Sequence, residues 1–567
     1  MEKDNLKKKD VGLVFNNSII SELLRISNER FSKYVVHSIE KGISVEKLGE
    51  LFEKSLEQLE RKDKGQFYTP REIVDYIISF LDIDQNSKIL DPACGCGSFL
   101  LSVLEYFKRK NIKNGLKNIF GVDINESAVK ITRLSLAIKF RFSEKTLKQL
   151  ENQIKIGNSI VSNKKIDRLG FEWGNEFKDI LNNGGFDFVV GNPPYVTLKK
   201  YKDFNPRESI YSLIIGGPVN AATLMIGRSL ELLKEGGILA FVLPRTILYV
   251  DSYSNLRKYL LENTKILHIF DLGQKFKGVR GEQIILIVKK EKSKNQNNEI
   301  KIRIFKFRNK KLYEQPMLEI PQKIFSKFNK FLIFDKKEYY TILKKILEND
   351  ISLNEYVNGQ IFRGLPIGGS SRFISKKKIK DSEEVIRGKC ISKFRIREIL
   401  FISKKLLDKF NKKKLSELKK PKIILQNIFS TESGIIAAYE KKGIITLDTV
   451  TNIITKNEKE AKYLLGLLNS KLINFYIIYG LFNKSRLTMH ADKSYLGNIP
   501  IVEASKKEIE RAVNYVDNAM RKIDENEIKA IIREIDKIVY KIYGLTNKEI
   551  NLVEDGLKNI LSKKSWW

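Results

Sequence analysis

Asn192-Pro193-Pro194-Tyr195 follows the apolar run FDFVVG. Two prolines remove two backbone donors and restrict the chain. A turn stiffened in this way can hold the Asn192 amide oxygen and the Pro193 carbonyl toward one point. Two oxygens so aimed accept both hydrogens of a planar NH₂ group and shift its nitrogen toward a tetrahedral, nucleophilic state, with no need for a low-pKa base. Tyr195 adds a flat face on which an aromatic ring stacks. The competing reading is a rigid strand-end turn. Upstream, DPACGCGSF (Asp91 to Phe99) stands between an apolar run and a helical one. Gly95 and Gly97 there allow a tight turn and close approach of a ligand to the backbone. Asp91 at the end of the run can accept from an ammonium group. No phosphate-binding lysine follows, so a P-loop is excluded. Cys94 and Cys96 are close together, but the only other cysteine is Cys390. Without a second pair they read as small turn fillers, not as metal or redox thiols. Asp123 ends the next apolar run, GVDIN. An acid there either binds two ribose hydroxyls or caps the following helix. Val122 and Ile124 flank it and can enclose an adenine ring. Asn158, in IGNSIV, either contacts that adenine's edge or only makes a turn.

Residues of this kind must be presented by strand ends. From residue 65 to about 290 short apolar runs (SKILDPACG, NIFGVDIN, FDFVVGNPP, GILAFVLP, KILHIFDL, QIILIVKK) alternate with amphipathic stretches (GSFLLSVLEYFKRK, ESAVKITRLSLAIKF, AATLMIGRSLELLKEGG). That alternation predicts an α/β fold with a doubly wound, mostly parallel, Rossmann-like sheet. The 567 residues allow about three or four domains at roughly 100–200 residues each. Residues 1–64 read as a polar helical segment, best defined in SVEKLGELFEKSLEQLERKDKG. Residues 291–350 begin with the polar break EKSKNQNNE. Residues 351–505 hold short strand candidates and one long apolar helix, AKYLLGLLNSKLINFYIIYGLF. From 506 the chain is helical again, with Ile528, Ile532, Ile535, Val539 and Ile542 marking one face.

The set of motifs resembles the S-adenosylmethionine-dependent adenine-N6 DNA methyltransferases of restriction–modification systems. Its order is similar to the subclass in which cofactor motifs precede NPPY and a specificity domain follows. The resemblance implies S-adenosyl-L-methionine as cofactor and double-stranded DNA as partner. It places Phe67, Thr69 and Pro70, in GQFYTPREIVDYI, near the methionine end of the cofactor. Asp91, Ala93, Gly95 and Gly97 match the cofactor loop, and Asp123 with Ile124 the ribose and adenine side. Asn158 stands where the family usually has Asp. Asn192, Pro193, Pro194 and Tyr195 match the catalytic motif. In DLGQKFKGVRGEQIILIV, Phe276 matches the aromatic that faces Tyr195 across the target base; otherwise it is a core phenylalanine. Asn220, in PVNAATL, stands where relatives often have an acid, and it is given no role. TLDTVTNIIT, YLLGLLNSKLINFYI and GNIPI resemble the specificity domain of type IIG-like enzymes, and IDKIVYKIYGLTNKEI their C-terminal helical segment. The expected domains are therefore a helical segment at 1–64, a catalytic domain at 65–330, a mixed α/β target recognition domain at 345–505 and a helical segment at 506–567.

Composition agrees with an acidic partner. Lys and Arg number 103 against 68 Asp and Glu, a formal net charge of +35. The lysine-rich stretches SKKKIK (375–380) and KFNKKKLSELKKPK (409–422) either contact phosphates or are solvated faces. With 42% hydrophobic residues, wholesale disorder is excluded. Three cysteines exclude a disulfide scaffold, and three histidines speak against a His-rich metal site, so no metal is expected. No stretch reaches the ~18 apolar residues of a membrane span, and MEKDNLKKKD lacks a signal-peptide core, so a cytoplasmic protein without a membrane partner is expected. Glu299-Ile300-Lys301 and Glu527-Ile528-Lys529 resemble fragments of a nuclease motif but lack an upstream metal-binding acid. Cleavage by this chain is not expected, and a restriction endonuclease would be separately encoded. Rival readings keep NPPY chemistry but act on RNA or protein glutamine, or keep the fold as a non-catalytic DNA-binding subunit.

Overall fold

The computed structural model describes residues 69–560, apart from 114, 141–142, 199–204, 207–208, 274–280, 293–297, 309–310, 315–316, 350, 368–372, 486–487 and 559. The helix expected within 1–64, Phe67 and Phe276 lie outside the described residues. The chain divides into two compact units between Asp335 and Lys336.

The first unit is built on a ten-stranded sheet. Its strands are β1 (Ile89–Asp91), β2 (Ile119–Asp123), β3 (Ile154–Ile156), β4 (Phe186–Gly191), β5 (Leu233–Pro244), β6 (Thr264–Gly273), β7 (Gln283–Lys290), β8 (Glu299–Arg308), β9 (Lys311–Glu314) and β10 (Leu318–Pro321). They lie in the order β10-β8-β6-β7-β5-β4-β1-β2-β3, with β9 paired to β8. Pairings β3–β2, β2–β1, β1–β4 and β4–β5 are parallel, while β7 runs antiparallel between β5 and β6. Strand order reverses between β1 and β4, so a crevice opens at their carboxyl ends, where doubly wound sheets take their ligands.

All six predicted strands are present. Every residue of β2 is buried, and β4 has only Asp187 partly exposed. Such continuous burial is expected of strands covered on both faces. Helices α1 (Arg71–Ser79), α2 (Ser98–Arg109) and α3 (Glu126–Phe140) pack side by side. Ile73, Val74, Phe99, Leu100, Val129 and Leu136 from them share one core with Ile89, Val190, Val242 and Ile285 from the sheet. Helix α4 (Glu144–Gln153) follows, its first turn capped by Ser143. Helix α5 (Ala221–Leu232) is capped by Asn220, whose side chain accepts from the Ala222 N–H. Helix α6 (Ser254–Asn263) leads into β6.

Two expectations are corrected. The helix expected through LLKEGG stops at Leu232, and Leu233 already pairs with Phe186. Gly236 and Gly237 are poor helix formers, and Gly236 takes φ +80°, so the chain turns into β5 instead. The segment read as a polar break and mixed pieces contributes β8, parallel to β6, and β10. In EIKIRIFKF, Ile300 and Ile302 alternate with charged residues, a period-two pattern that one-face burial explains.

The second unit contains two four-stranded sheets. One orders Ile361–Arg363, Val450–Ile453, Lys422–Gln426 and Ala437–Glu440, all antiparallel. The other orders Ile374–Ser375, Leu400–Ser403, Ser382–Ile386 and Ile445–Thr446. Leu365, Val385, Ile402, Ile424, Ala438 and Leu447 share its core. The expected long apolar helix is broken into Glu458–Asn469 and Lys471–Phe475, followed by a wider turn of helix at Tyr476–Leu481. The break falls at Ser470, whose hydroxyl accepts from the Ile473 N–H and restarts the helix as its cap. Among the described residues no single helix is long and apolar enough to cross a membrane; this bent pair passes by length and composition, with a 56° bend. Helices Lys506–Arg521, Glu525–Ile542 and Asn547–Lys558 close the unit. Ile528, Ile532, Ile535 and Val539 are buried as the periodicity predicts, and Glu527-Ile528-Lys529 lies within that helix.

Candidate active site

The carboxyl ends of β1, β2 and β4 bring the sequence-predicted residues together. After β1 the chain turns through Pro92–Gly97 into α2. Asp91 Oδ1 accepts from the Ala93 N–H at 3.1 Å, Cys94 N–H donates to the Val122 carbonyl at 3.0 Å, and Gly97 N–H closes the turn on the Cys94 carbonyl at 2.8 Å. Gly97 sits at φ +84°, and a Cβ there would lie 2.8 Å from Thr132 Cγ2. Gly95 sits at φ +50°, but a Cβ there would meet nothing within 4 Å. The turn is therefore packed on its Gly97 side and open on its Gly95 side. Thr132 on α3 holds it from below, its hydroxyl donating to the Gly95 carbonyl at 2.7 Å. Cys94 and Cys96 are buried and form no disulfide, and burial raises the Cys94 thiol.

Asp123 ends β2 beneath this turn. Its Oδ2 accepts from the Gly95 N–H and its Oδ1 from the Asn125 N–H, both at 2.8 Å. The cap on α3 is Asn125, whose side chain accepts from the Ala128 N–H at 3.2 Å. Asp123 is therefore not the side-chain cap in this contact, and its carboxylate lies at the strand end against the glycine turn. Ile124 beside it is 47% exposed, whereas Val122 is fully buried in the sheet. Enclosure of a ring by both flanking residues is thus corrected: only Ile124 offers a surface.

Asn158 turns into its own loop. Its Oδ1 accepts from Ile160 and Val161 N–H at 3.0 and 3.3 Å, and its Nδ2 donates to Asp167 Oδ2 at 2.7 Å. These contacts are those of a turn residue, and Asp167 brings a carboxylate beside it. Ser159 fastens the same loop to the glycine turn by donating to the Pro92 carbonyl at 2.6 Å.

Asn192 follows β4 directly. Asp91 lies against the end of that strand: a Cβ on Gly191 would fall 2.7 Å from Asp91 Oδ1. Glycine thereby lets the glycine turn and the Asn-Pro-Pro-Tyr turn approach each other. Burial pushes the Asp91 carboxyl up to about 8, against the Ala93 N–H and with the Asp123 charge adding to the rise. The Asn192 amide is held at both ends. Its Nδ2 donates to Thr69 Oγ1 at 3.0 Å, and its Oδ1 accepts from the Tyr195 hydroxyl at 2.5 Å. Pro193 is buried and Pro194 and Tyr195 half-buried. Burial raises the Tyr195 phenol, which stays protonated and able to donate. Thr69 is buried, and Pro70 starts α1, its carbonyl accepting from Ile73 and Val74 N–H.

At the ends of β5, β6 and β7 lies a group that the motifs did not single out. Buried Arg245 sits 3.2 Å from Asp271 Oδ2 and 3.7 Å from Glu282 Oε2. These carboxylates flank residues 274–280, the segment holding Phe276. Thr132 and Arg245 were missed because each acts on a group distant in the chain, with no local spacing to mark it; Asn125 is a local cap three residues before Ala128, and Asp167 meets Asn158 across a short loop.

In the second unit, Lys376, Lys377, Lys378 and Lys380 are exposed. Lys422, at the end of the other lysine-rich stretch, is fully buried and pairs with Glu440 at 3.0 Å. It is removed from the residues available to phosphate. Lys414 lies 4.3 Å over the Phe362 ring.

The site's residues fit a cofactor carrying a ribose and a planar base: an open glycine turn, an acid at the strand end beside it and an exposed isoleucine. Comparison with known proteins agrees. A model of the N-6 DNA methylase family matches residues 44–363, and one of the TaqI-like C-terminal specificity domain matches 383–501. The type II methyltransferase M.VspI of Vibrio sp. (strain 343) is 27% identical over 49% of this chain and 64% of its own length. The type II restriction enzyme and methyltransferase RM.Eco57I of Escherichia coli is 29% identical over 39% of this chain and 27% of its own. A putative type II restriction enzyme and methyltransferase of Methanocaldococcus jannaschii is 27% identical over 69% of this chain and 34% of its own. The matches thus span from about a quarter to just under two thirds of these relatives. Among solved structures, the type IIL restriction–modification enzyme MmeI in complex with DNA superposes with a TM-score of 0.61 at 13% identity, over 94% of this chain and 84% of that one. The DrdV–DNA complex gives 0.52 at 13%, over 87% and 61%. Both share the fold. With more than half its length matched by one family model, this chain belongs to the N-6 DNA methylase family and carries the mixed α/β, Rossmann-like methyltransferase fold.

Proposed function

We propose that the chain is a site-specific DNA adenine methyltransferase, transferring a methyl group from S-adenosyl-L-methionine to the exocyclic amine of a flipped-out adenine, in a restriction–modification or epigenetic setting in the cytoplasm. The observation that carries the reading is the Asn192 amide, its oxygen at the end of β4 and its turn against the glycine turn of β1. The catalytic domain comprises residues 65–330, the target recognition domain 345–505, and segments 1–64 and 506–567 flank them.

The cofactor, when bound, supplies an electrophilic methyl group already activated by its sulfonium. Gly95 lets it approach the backbone while Gly97 lets the turn pack on Thr132, Asp123 accepts from its ribose hydroxyls, and Ile124 covers its base. Thr69, Pro70, Asp91 and Ala93 shape the methionine side, together with Phe67. Asn158 supports the adenine side from within its loop. A duplex keeps the target amine out of reach, so the adenine leaves the stack at a cost of a few kcal/mol. Tyr195 offsets part of that cost by stacking, with Phe276 on the other face. Asn192 Oδ1 and the Pro193 carbonyl accept the hydrogens of the amine, and its lone pair is directed away from the ring. Positioning supplies most of the rate. Exposed lysines of the second unit contact phosphates without reading sequence. A separately encoded restriction endonuclease is the partner such a system would add.

The test is methyl transfer from labelled S-adenosylmethionine to unmethylated DNA, RNA and protein acceptors in parallel. Label in DNA supports the reading; label confined to RNA or protein overturns the substrate and keeps the chemistry.

A further inference from the structure

We infer that Thr69 is a positioning residue, holding the plane of the Asn192 amide for the methyl-accepting amine. The inference rests on the methyltransferase reading and adds a role for a residue whose motif points to the cofactor. The torsion that sets an asparagine amide plane is broad, because it joins an sp³ to an sp² carbon. A stiff Pro-Pro turn fixes where Asn192 begins but leaves that plane soft, so partners at the amide's ends must set it. Thr69 Oγ1 meets Nδ2 at 3.0 Å, and the Tyr195 hydroxyl meets Oδ1 at 2.5 Å.

The two contacts differ in what substrate does to them. An incoming amine needs Oδ1 and must displace the phenol. It makes no demand on Nδ2, so the Thr69 contact persists through the reaction. Thr69 is itself well anchored. It is 4% exposed, and the next residue begins α1, whose Ile73, Val74, Ile77 and Ile78 are core residues. The helix before the glycine turn thus fixes a side chain 123 residues away, at the end of β4. Removing the hydroxyl while keeping the shape leaves the half-buried Nδ2 without this acceptor. The amide then rotates toward other partners, and its oxygen is misaimed.

The variants are Thr69→Val and Thr69→Ser, assayed by single-turnover methyl transfer at saturating cofactor and DNA. Thr69→Val is expected to slow transfer roughly 10- to 100-fold, the scale of one misplaced buried polar contact, with KM for DNA within about threefold of wild type. Thr69→Ser should recover to within about threefold. In thermal unfolding, the loss caused by Thr69→Val should vanish in an Asn192→Ala background, because the contact is already gone. A Thr69→Val rate equal to wild type overturns the inference. So does a rate restored by more cofactor, a Thr69→Ser variant as slow as Thr69→Val, or additive thermal losses. A wild-type chain that labels no DNA would instead refute the methyltransferase reading, and the thermal cycle would still report on the contact.

Discussion

Replacing Tyr195 by phenylalanine should tighten binding of target DNA. The ring proposed to stack on the base remains, and only the hydroxyl goes. In the structure that hydroxyl donates to Asn192 Oδ1 at 2.5 Å. This is the acceptor proposed for the target amine, so base entry competes with a protein hydrogen bond. A neutral hydrogen bond is worth about 1 kcal/mol net. Removing it from the base-free state favours the base-bound state by that amount, about fivefold in Kd. Tyr195→Ala removes the ring as well and loses about 1–3 kcal/mol of stacking, so its affinity should fall despite the freed acceptor. Opposite signs for the two variants are the signature. The assay is equilibrium binding to a duplex holding the mapped target adenine, with a duplex lacking the site as reference. Tyr195→Phe binding that is unchanged or weaker, with the reference duplex unaffected, would refute the idea that phenol and amine compete for Asn192.

Glycine substitutions in the β1 turn should separate stability from ligand binding. Gly97→Ala meets Thr132 at 2.8 Å and a left-handed φ, so its melting temperature should drop clearly; Gly95→Ala meets open space, costs only the backbone strain of about 1 kcal/mol, and should mainly weaken S-adenosylmethionine binding in calorimetry. For Asp91, the folded carboxyl is raised to about 8, so between about pH 4 and 8 the native state holds a proton that the unfolded chain releases. This group's contribution to stability therefore falls as pH rises through that window. Asp91→Asn should match wild type near pH 4 and exceed it at pH 8 in denaturant midpoint; an equal difference at both values would contradict the burial argument. In the second unit, Lys422→Met leaves Glu440 buried without its partner and should destabilise by about 3–5 kcal/mol, whereas exposed Lys376→Met should change stability by less than about 1 kcal/mol. Urea unfolding of both variants checks the contrast.

The sheet was legible because its strands are short apolar runs closed by glycine, proline or acid, and each of these marks a strand end. The Asn-Pro-Pro-Tyr turn was legible as a candidate for the same reason: Asn192 and the two prolines are neighbours in sequence, so no fold is needed to assemble them. β8 was missed because lysines and arginines alternate with its isoleucines, and a half-exposed edge region lacks the continuous apolar signal of β4. The early end of α5 was missed because Leu233 and Lys234 continue a helical pattern, and pairing with Phe186 outweighs it. Contacts such as Thr69 to Asn192, Thr132 to Gly95 and Arg245 to Asp271 were illegible for a different reason. They join residues that only the sheet order brings together, and a lone threonine or arginine carries no spacing to reveal its partner. Lys422 shows the converse: a lysine inside a charged run reads as solvated, yet four acceptors hold its ammonium in the core: Leu418, Lys420 and Ile444 carbonyls and Glu440.

The most direct measurement is nucleoside mass spectrometry of DNA incubated with S-adenosylmethionine and either the wild-type chain or Asn192→Ala. N6-methyladenine is expected in the wild-type reaction, confined to one sequence context, and none with Asn192→Ala, whose cofactor binding should persist. Methylation of another base, or full adenine methylation by Asn192→Ala, would contradict the proposed mechanism.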